Sequence, residues 1–177
     1  MTEAATKSPR APEPWLRGTL TELPAVIRAV LHALELARED AERWCGGLIG
    51  LEVNLEPAGL PSVAFQLRHI SGSVDRLLTY AEGRELNEAQ LAELKREAEP
   101  AGALPRTLLG EFGESMERAA ARTRAFAGVD LETPRSVGHK QLPTTVGGLL
   151  VHVADHTQRH VGQMVTTVKL VKASRAG

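Results

Sequence analysis

Aromatic residues are scarce in this 177-residue chain, at 3% of the sequence. Val, Ile and Thr occur singly, without the alternation of apolar and polar residues that half-buried strands show. Alanine and leucine are frequent, and the prolines lie between the stretches that have apolar periodicity, which favours helices. The sequence therefore predicts an all-α protein with no sheet.

The chain also lacks paired cysteines and long apolar runs. Cys45 is its single cysteine, so no intrachain disulfide is possible, and such sparing use fits a reducing compartment. The polar N-terminus does not resemble a signal peptide, and no apolar run approaches the roughly 20 residues of a membrane span. We therefore expect a cytoplasmic protein that does not insert into membranes.

Neither sign of charge dominates. Lysine and arginine number 21 against 22 acidic residues, so the formal net charge is -1. The sequence has no basic stripe and no aromatic platform, which are the usual features of a nucleic-acid interface. We expect neither nucleic acid nor an anionic membrane surface as a partner.

Four long helices and one short helix account for most of the chain. Residues 1–14 are polar and proline-rich and are predicted to form a flexible tail, and residues 15–177 a single domain. Apolar periodicity and capping residues predict the four long helices and the short helix over residues 19–45, 62–81, 87–98, 106–127 and 144–172. The simplest arrangement is a four-helix bundle with one short extra helix. Its long connections make crossovers plausible.

Two histidines lie on the apolar face of the last helix. His156 and His160 are one helical turn apart, about 6 Å, so both imidazoles can reach one metal ion. His152 lies on the flank of that face, about 12 Å from His160 along the helix axis, so the three cannot share an ion. A lone core histidine is more often a structural residue than a metal ligand. For two core histidines at this spacing, a role as metal ligands is about as plausible as a structural role.

A third protein ligand must come from another helix. The candidates are His32, Cys45, His69 and His139. His32 is predicted to be exposed, His139 to be solvated in a loop, and Cys45 to be a small buried thiol. His69 shares a helix face with Ser73, Arg76 and Tyr80, which resembles the wall of a cleft more than a core. His69 is therefore the favoured third ligand.

Two segments carry histidines in recognisable patterns. The segment LVHVADHTQRHVGQ, from Leu150 to Gln163, contains an H-x-x-x-H-x-G-Q pattern, and the segment LRHISGSVDRLLTYAEG, from Leu67 to Gly83, has one histidine within a predicted helix. The first segment resembles the last helix of the DinB-like (DinB/YfiT-type) superfamily of metal-binding four-helix bundles, and the second is similar to the helix of that family that supplies the remaining histidine. Arg159 and Val161 replace the histidine and arginine that many relatives carry, which weakens assumptions about the substrate but leaves the ligand positions intact.

The resemblance implies one divalent ion, most often zinc or nickel, bound by His69, His156 and His160 in a protein that frequently forms a homodimer. It also implies a small-molecule substrate. Some members transfer low-molecular-weight thiols, some isomerise substrates with a thiol cofactor, and many are assigned as metal-dependent hydrolases.

Three neutral imidazoles would leave a coordination position open for a thiol or for water. Arg76, Tyr80 and Gln163 are candidates for orienting a substrate, although each has an equally plausible structural explanation. Asp75 and Asp155 are weaker candidates for orienting an imidazole. The favoured function is an enzyme that transfers a thiol to an electrophile or performs hydrolysis. The alternatives are a non-catalytic module that binds metal and a small ligand, and a bundle with vestigial histidines.

Overall fold

The computed structural model describes residues 11–102 and 104–175, and these are mostly helical. Five α-helices are present in the described ranges: α1 (Ala25–Cys45), α2 (Val63–Ala81), α3 (Glu88–Arg96), α4 (Pro105–Arg124) and α5 (Val146–Ala173). Short 3-10 helices occur at Pro14–Leu16, Gly50–Asn54 and Pro57–Gly59. The predicted helical class is therefore confirmed.

The four long helices surround one hydrophobic core. Helix α5 packs against α1 and α2, and α4 packs against the same two helices. Consecutive helices α1 and α2 therefore lie at diagonal corners, as do α4 and α5. The connection between two diagonal helices has to cross the molecule, which explains why the linkers are long. Among the helices, α3 packs mainly against α2.

The prediction that the chain has no sheet is wrong. Strands β1 (Pro134–Val137) and β2 (Leu142–Thr145) form an antiparallel hairpin between α4 and α5. The hairpin lies in the predicted loop, except that Thr144 and Thr145 belong to the range predicted for the last helix. Each strand has four residues. A strand this short, with an exposed first residue, does not show the alternation from which strands are recognised. Gly138 and Gln141 have positive φ values and form the turn.

Most predicted helix starts agree with the capping seen in the structure. Ser62 accepts a hydrogen bond from the backbone of Phe65, and Thr145 accepts one from Gly148. Asn87 and Gln90 form the predicted capping box at the start of α3. These hydroxyl and amide groups satisfy backbone N–H groups that have no partner within the helix.

The predicted start of the first helix at Thr19 is wrong. Helix α1 begins at Ala25, directly after Pro24, and no side chain caps it. Leu20 has a φ of +59, a left-handed conformation that cannot continue a right-handed helix.

The segment that precedes α1 also changes the environment of His32. This histidine is buried, and the hydroxyl of Thr19 lies 3.1 Å from its Nε2. The prediction that His32 is exposed is therefore wrong, because residues before Ala25 cover that face of α1. Of the predicted tail, residues 1–10 lie outside the described ranges, and Pro14 is buried in a 3-10 helix.

Within the described ranges, the helices are too short or too polar for any of them to cross a membrane.

Candidate metal centre

Helices α2 and α5 bring three histidines together. His69 comes from α2, and His156 and His160 come from α5, which packs against it. The centroid of the His160 ring lies 4.4 Å from that of His69 and 4.4 Å from that of His156. One ring nitrogen from each histidine lies within 4.8 Å of the other two. This cluster could hold a metal ion.

Contacts on two sides hold the ring of His69. Phe65, one turn earlier, stacks on it with centroids 5.3 Å apart and ring planes inclined by 8°. The Nδ1–H group donates to Oε2 of Glu97 over 2.8 Å, because a carboxylate oxygen only accepts. That tautomer leaves the lone pair on Nε2, so the ring is oriented to bind a cation through Nε2.

Glu97 is itself buried and paired. It lies directly after α3, and its Oε1 accepts a hydrogen bond from Nη1 of Arg76 over 2.6 Å. Burial opposes ionisation of this carboxyl, but the hydrogen bonds from His69 and Arg76 outweigh it and lower its pKa. A buried, ionised carboxylate therefore accepts the hydrogen bond from Nδ1 of His69, on the side of the ring away from Nε2.

His160 is held in the same tautomer by an amide. Its Nδ1–H donates to Oε1 of Gln66 over 2.8 Å. The Nε2 of Gln66 in turn donates to Oε1 of Gln163 over 3.3 Å. Burial lowers the pKa of His160, and the neighbouring side chains of His69 and Arg159 shift it in the same direction. The ring is therefore kept neutral with a lone pair on Nε2.

His156 has the least complete hydrogen bonding of the three clustered histidines. Burial lowers its pKa to about 4, and the neighbouring imidazoles and Arg159 shift it in the same direction. Its Nδ1 is buried with no hydrogen-bond partner among the described residues. A buried nitrogen without a partner is costly in a folded protein. Such an atom beside two oriented imidazoles fits a cation-binding site, so the residues present suit a transition metal with a preference for nitrogen ligands.

The other histidines lie outside the cluster. His152 is exposed, its ring centroid is 5.4 Å from that of His156, and its Nδ1 is 3.8 Å from a carboxylate oxygen of Asp155. His139 is exposed in the hairpin turn.

The three candidate catalytic residues occupy different positions. Arg76 is buried and hydrogen-bonded to Glu97 and Ser73. Its guanidinium therefore contacts the partner of His69. Tyr80 is partly buried and packs against the hydrophobic core. Gln163 is exposed at the edge of the cluster, where it accepts a hydrogen bond from Gln66.

The carboxylates predicted to orient an imidazole have other partners. Asp75 pairs with Arg122 over 2.6 Å, and Asp155 pairs with Arg159 over 2.8 Å. The residues that do orient the imidazoles, Glu97 and Gln66, were missed. Gln66 lies three residues before His69 and so shares its side of α2, which was a usable signal. Glu97 follows a highly charged helix, and nothing local distinguishes it from its acidic neighbours.

Two further features help to define the chemistry. Cys45 is buried, and burial raises the pKa of its thiol to about 12. A cavity of about 670 Å³ lies between α2, α3 and α4. Its walls include Arg76 and Glu97. None of the three clustered histidines lines this cavity, which lies on the other side of Glu97.

Comparisons with known proteins agree with this architecture. The sequence profile of the DinB superfamily matches residues 20–164. A crystal structure described as a conserved protein of locus from Enterococcus faecalis is similar with a TM-score of 0.59 at 20% identity, covering 84% of this chain and 98% of that one. That likeness concerns the fold alone. No curated protein matches the sequence. Because the profile covers most of the chain, including all three clustered histidines, the protein belongs to the DinB superfamily.

Proposed function

We propose that this protein is a metal-dependent enzyme that binds one divalent ion, zinc or nickel, through His69, His156 and His160. The favoured reaction is transfer of a low-molecular-weight thiol to an electrophilic small molecule, and hydrolysis is second. The observation that carries the proposal is the convergence of three imidazole nitrogens within 4.8 Å of one another. Three protein ligands match the ligand number of catalytic rather than structural zinc sites.

The surrounding residues keep the imidazoles ready to bind. Glu97 and Gln66 hold His69 and His160 in the tautomer with a free Nε2. Burial keeps His156 neutral, so protons compete weakly for it near pH 7. When bound, a divalent ion in a neutral three-histidine site lowers the pKa of a coordinated thiol or water.

The state of Cys45 favours an external thiol as the nucleophile. Its pKa of about 12 and its burial make it unreactive, so a transferred sulfur would arrive on a cosubstrate. Arg76 is engaged by Glu97 and is poorly placed to bind a carboxylate of that thiol. Gln163, exposed beside His160, is the better candidate for contacting a substrate. We also propose a homodimer, on the basis of the family.

A binding module without turnover is the second candidate. Glu97 lies next to the cluster, but both of its carboxylate oxygens already accept hydrogen bonds. It is therefore not a free general base. A site with oriented ligands and no free base suits capture of a small ligand as well as catalysis.

The test uses metal-free protein loaded with zinc or nickel. Conjugation of several low-molecular-weight thiols to 1-chloro-2,4-dinitrobenzene is measured, and ester and amide hydrolysis are assayed in parallel. The wild-type rate should exceed that of His156→Ala for at least one pairing. Rates equal to that variant, with stoichiometric metal in the wild type, would favour the binding module.

A further inference from the structure

Helix α3 is held to the rest of the molecule in an unusual way. None of its residues is buried, and Leu91 and Leu94 are 45% and 43% exposed. Beneath it lies the cavity of about 670 Å³. Packing of apolar side chains therefore contributes little to its docking on α2.

Polar contacts near both ends of α3 replace that packing. Near the start, Nε2 of Gln90 donates to Oδ2 of Asp75 over 2.5 Å and to the hydroxyl of Thr79 over 2.9 Å. Directly after the helix, the buried carboxylate of Glu97 bridges Arg76 and His69. One of the two attachments therefore ends on a histidine of the metal centre.

Gly72 creates the space that Glu97 occupies. A Cβ atom at this position would lie 2.5 Å from Oε1 of Glu97 and 2.6 Å from Nη1 of Arg76. Any side chain would displace the ion pair. Glycine inside a helix costs about 1 kcal/mol relative to alanine, and this close approach gives a physical reason for tolerating it in α2.

We propose that Glu97 is a positioning residue for His69, and that through it the docking of α3 and metal binding at the histidine cluster strengthen each other. The inference rests on the proposed zinc or nickel site. A cation on Nε2 of His69 makes its Nδ1–H a stronger donor to Glu97. Coupling between two binding events is reciprocal, so bound metal should hold α3 in place and a docked α3 should raise metal affinity.

The experiment measures amide hydrogen exchange of α3 with and without zinc, together with zinc affinity by competition with a chromophoric chelator. In the wild type, zinc should slow exchange of the amides between Glu88 and Arg96, because opening of α3 would break the bond to His69. Glu97→Gln should weaken zinc binding about 10- to 100-fold, the usual cost of losing a partner of a metal-bound histidine. It should also remove the effect of zinc on α3.

Matched variants separate this effect from general destabilisation. Glu93→Gln changes an exposed acid on the same helix, paired with Arg96, and should behave as the wild type. Gly72→Ala should weaken zinc binding and remove the zinc effect on α3. Gly110→Ala in α4, where an added Cβ meets nothing within 4 Å, should do neither.

The result that overturns the inference is also specific. It would be zinc binding by the wild type with no change in α3 exchange, or equal zinc affinity in Glu97→Gln and Glu93→Gln. Zinc binding and α3 protection without turnover would count against the proposed enzyme but support the coupling. Turnover without α3 protection would count against the coupling alone.

Discussion

Helix α2 faces α5 on one side and α3 on another, and the two contacts differ in chemistry. Helices α2 and α5 pack against each other, and both contribute fully buried aliphatic side chains, such as Ile70 and Leu150, to the hydrophobic core. The histidine cluster lies between these two helices. Towards α3, α2 faces a cavity crossed by ion pairs and amide contacts. Close packing fixes the relative positions of the three clustered histidines, whereas the polar contact leaves room for adjustment.

The largest expected effect concerns the ligands between α2 and α5. His69→Ala and His160→Ala should each weaken zinc or nickel binding by more than about 100-fold, since loss of a mere outer partner already costs 10- to 100-fold. His152→Ala should leave binding nearly unchanged. The measurement is metal content by elemental analysis of untagged protein, with chelator competition. Equal losses in all three variants would contradict the assignment of the cluster.

Truncation of a leucine on each side tests the difference in packing. Leu150→Ala, at a fully buried site in α5, should lower the free energy of unfolding by about 2–5 kcal/mol. Leu94→Ala, on the exposed face of α3, should change it by no more than about 0.5 kcal/mol. Urea denaturation followed by circular dichroism gives both values. A similar loss in the two variants would mean that α3 packs as tightly as α5.

The stability contributed by groups at the two contacts should also be lost in separate pH ranges. His156 has a pKa of about 4 in the folded protein and about 6.5 when unfolded, so only the unfolded chain takes up this proton between those values. Stability of the metal-free protein should therefore fall as the pH drops from 6.5 towards 4. Glu97, whose pKa is lowered, contributes stability that is present above its unfolded pKa and is lost as the pH falls through its folded value.

Thermal unfolding between pH 7.5 and 3 can separate these two contributions. His156→Gln should reduce the change of the melting temperature with pH in the upper part of this pH range. Glu97→Gln should reduce it in the lower part. The lowered histidine pKa values also affect metal binding, because a protonated imidazole cannot bind a metal ion. A histidine with an ordinary pKa loses metal affinity below about pH 6.5. The lowered pKa values of His156 and His160 move their share of that fall to lower pH.

The smallest effect is expected at Cys45, which lies in the hydrophobic core at the end of α1 and does not line the cavity. Its thiol should react with a disulfide reagent only slowly in the folded state, because burial keeps it protonated. Cys45→Ala should leave any thiol-transfer rate unchanged. Loss of transfer in a folded Cys45→Ala variant that still binds metal would assign the nucleophile to the protein itself.

The sequence alone was sufficient for the existence of the α-helices and for the histidine pair on the last of them, whereas His69 was favoured as the third ligand from its helix face and from the resemblance to the DinB-like superfamily. Helical periodicity is local, and so are capping pairs such as Asn87 with Gln90 and the one-turn spacing of His156 and His160. The core position of Cys45 followed from the same periodicity. These features depend on residues three or four positions apart, which a sequence displays directly.

Contacts between distant segments were decided by the tertiary structure alone. The burial of His32 depends on a segment that folds back over α1, and the hairpin depends on pairing between two strands of four residues. The partner of His69 lies 28 positions away, after a helix whose charged residues all look alike in sequence. Glu97 differs from those neighbours only because folding places it in the space left by Gly72. Local patterns determined which residues form helices and which faces carry imidazoles, and long-range packing decided which of many carboxylates would hold one of them.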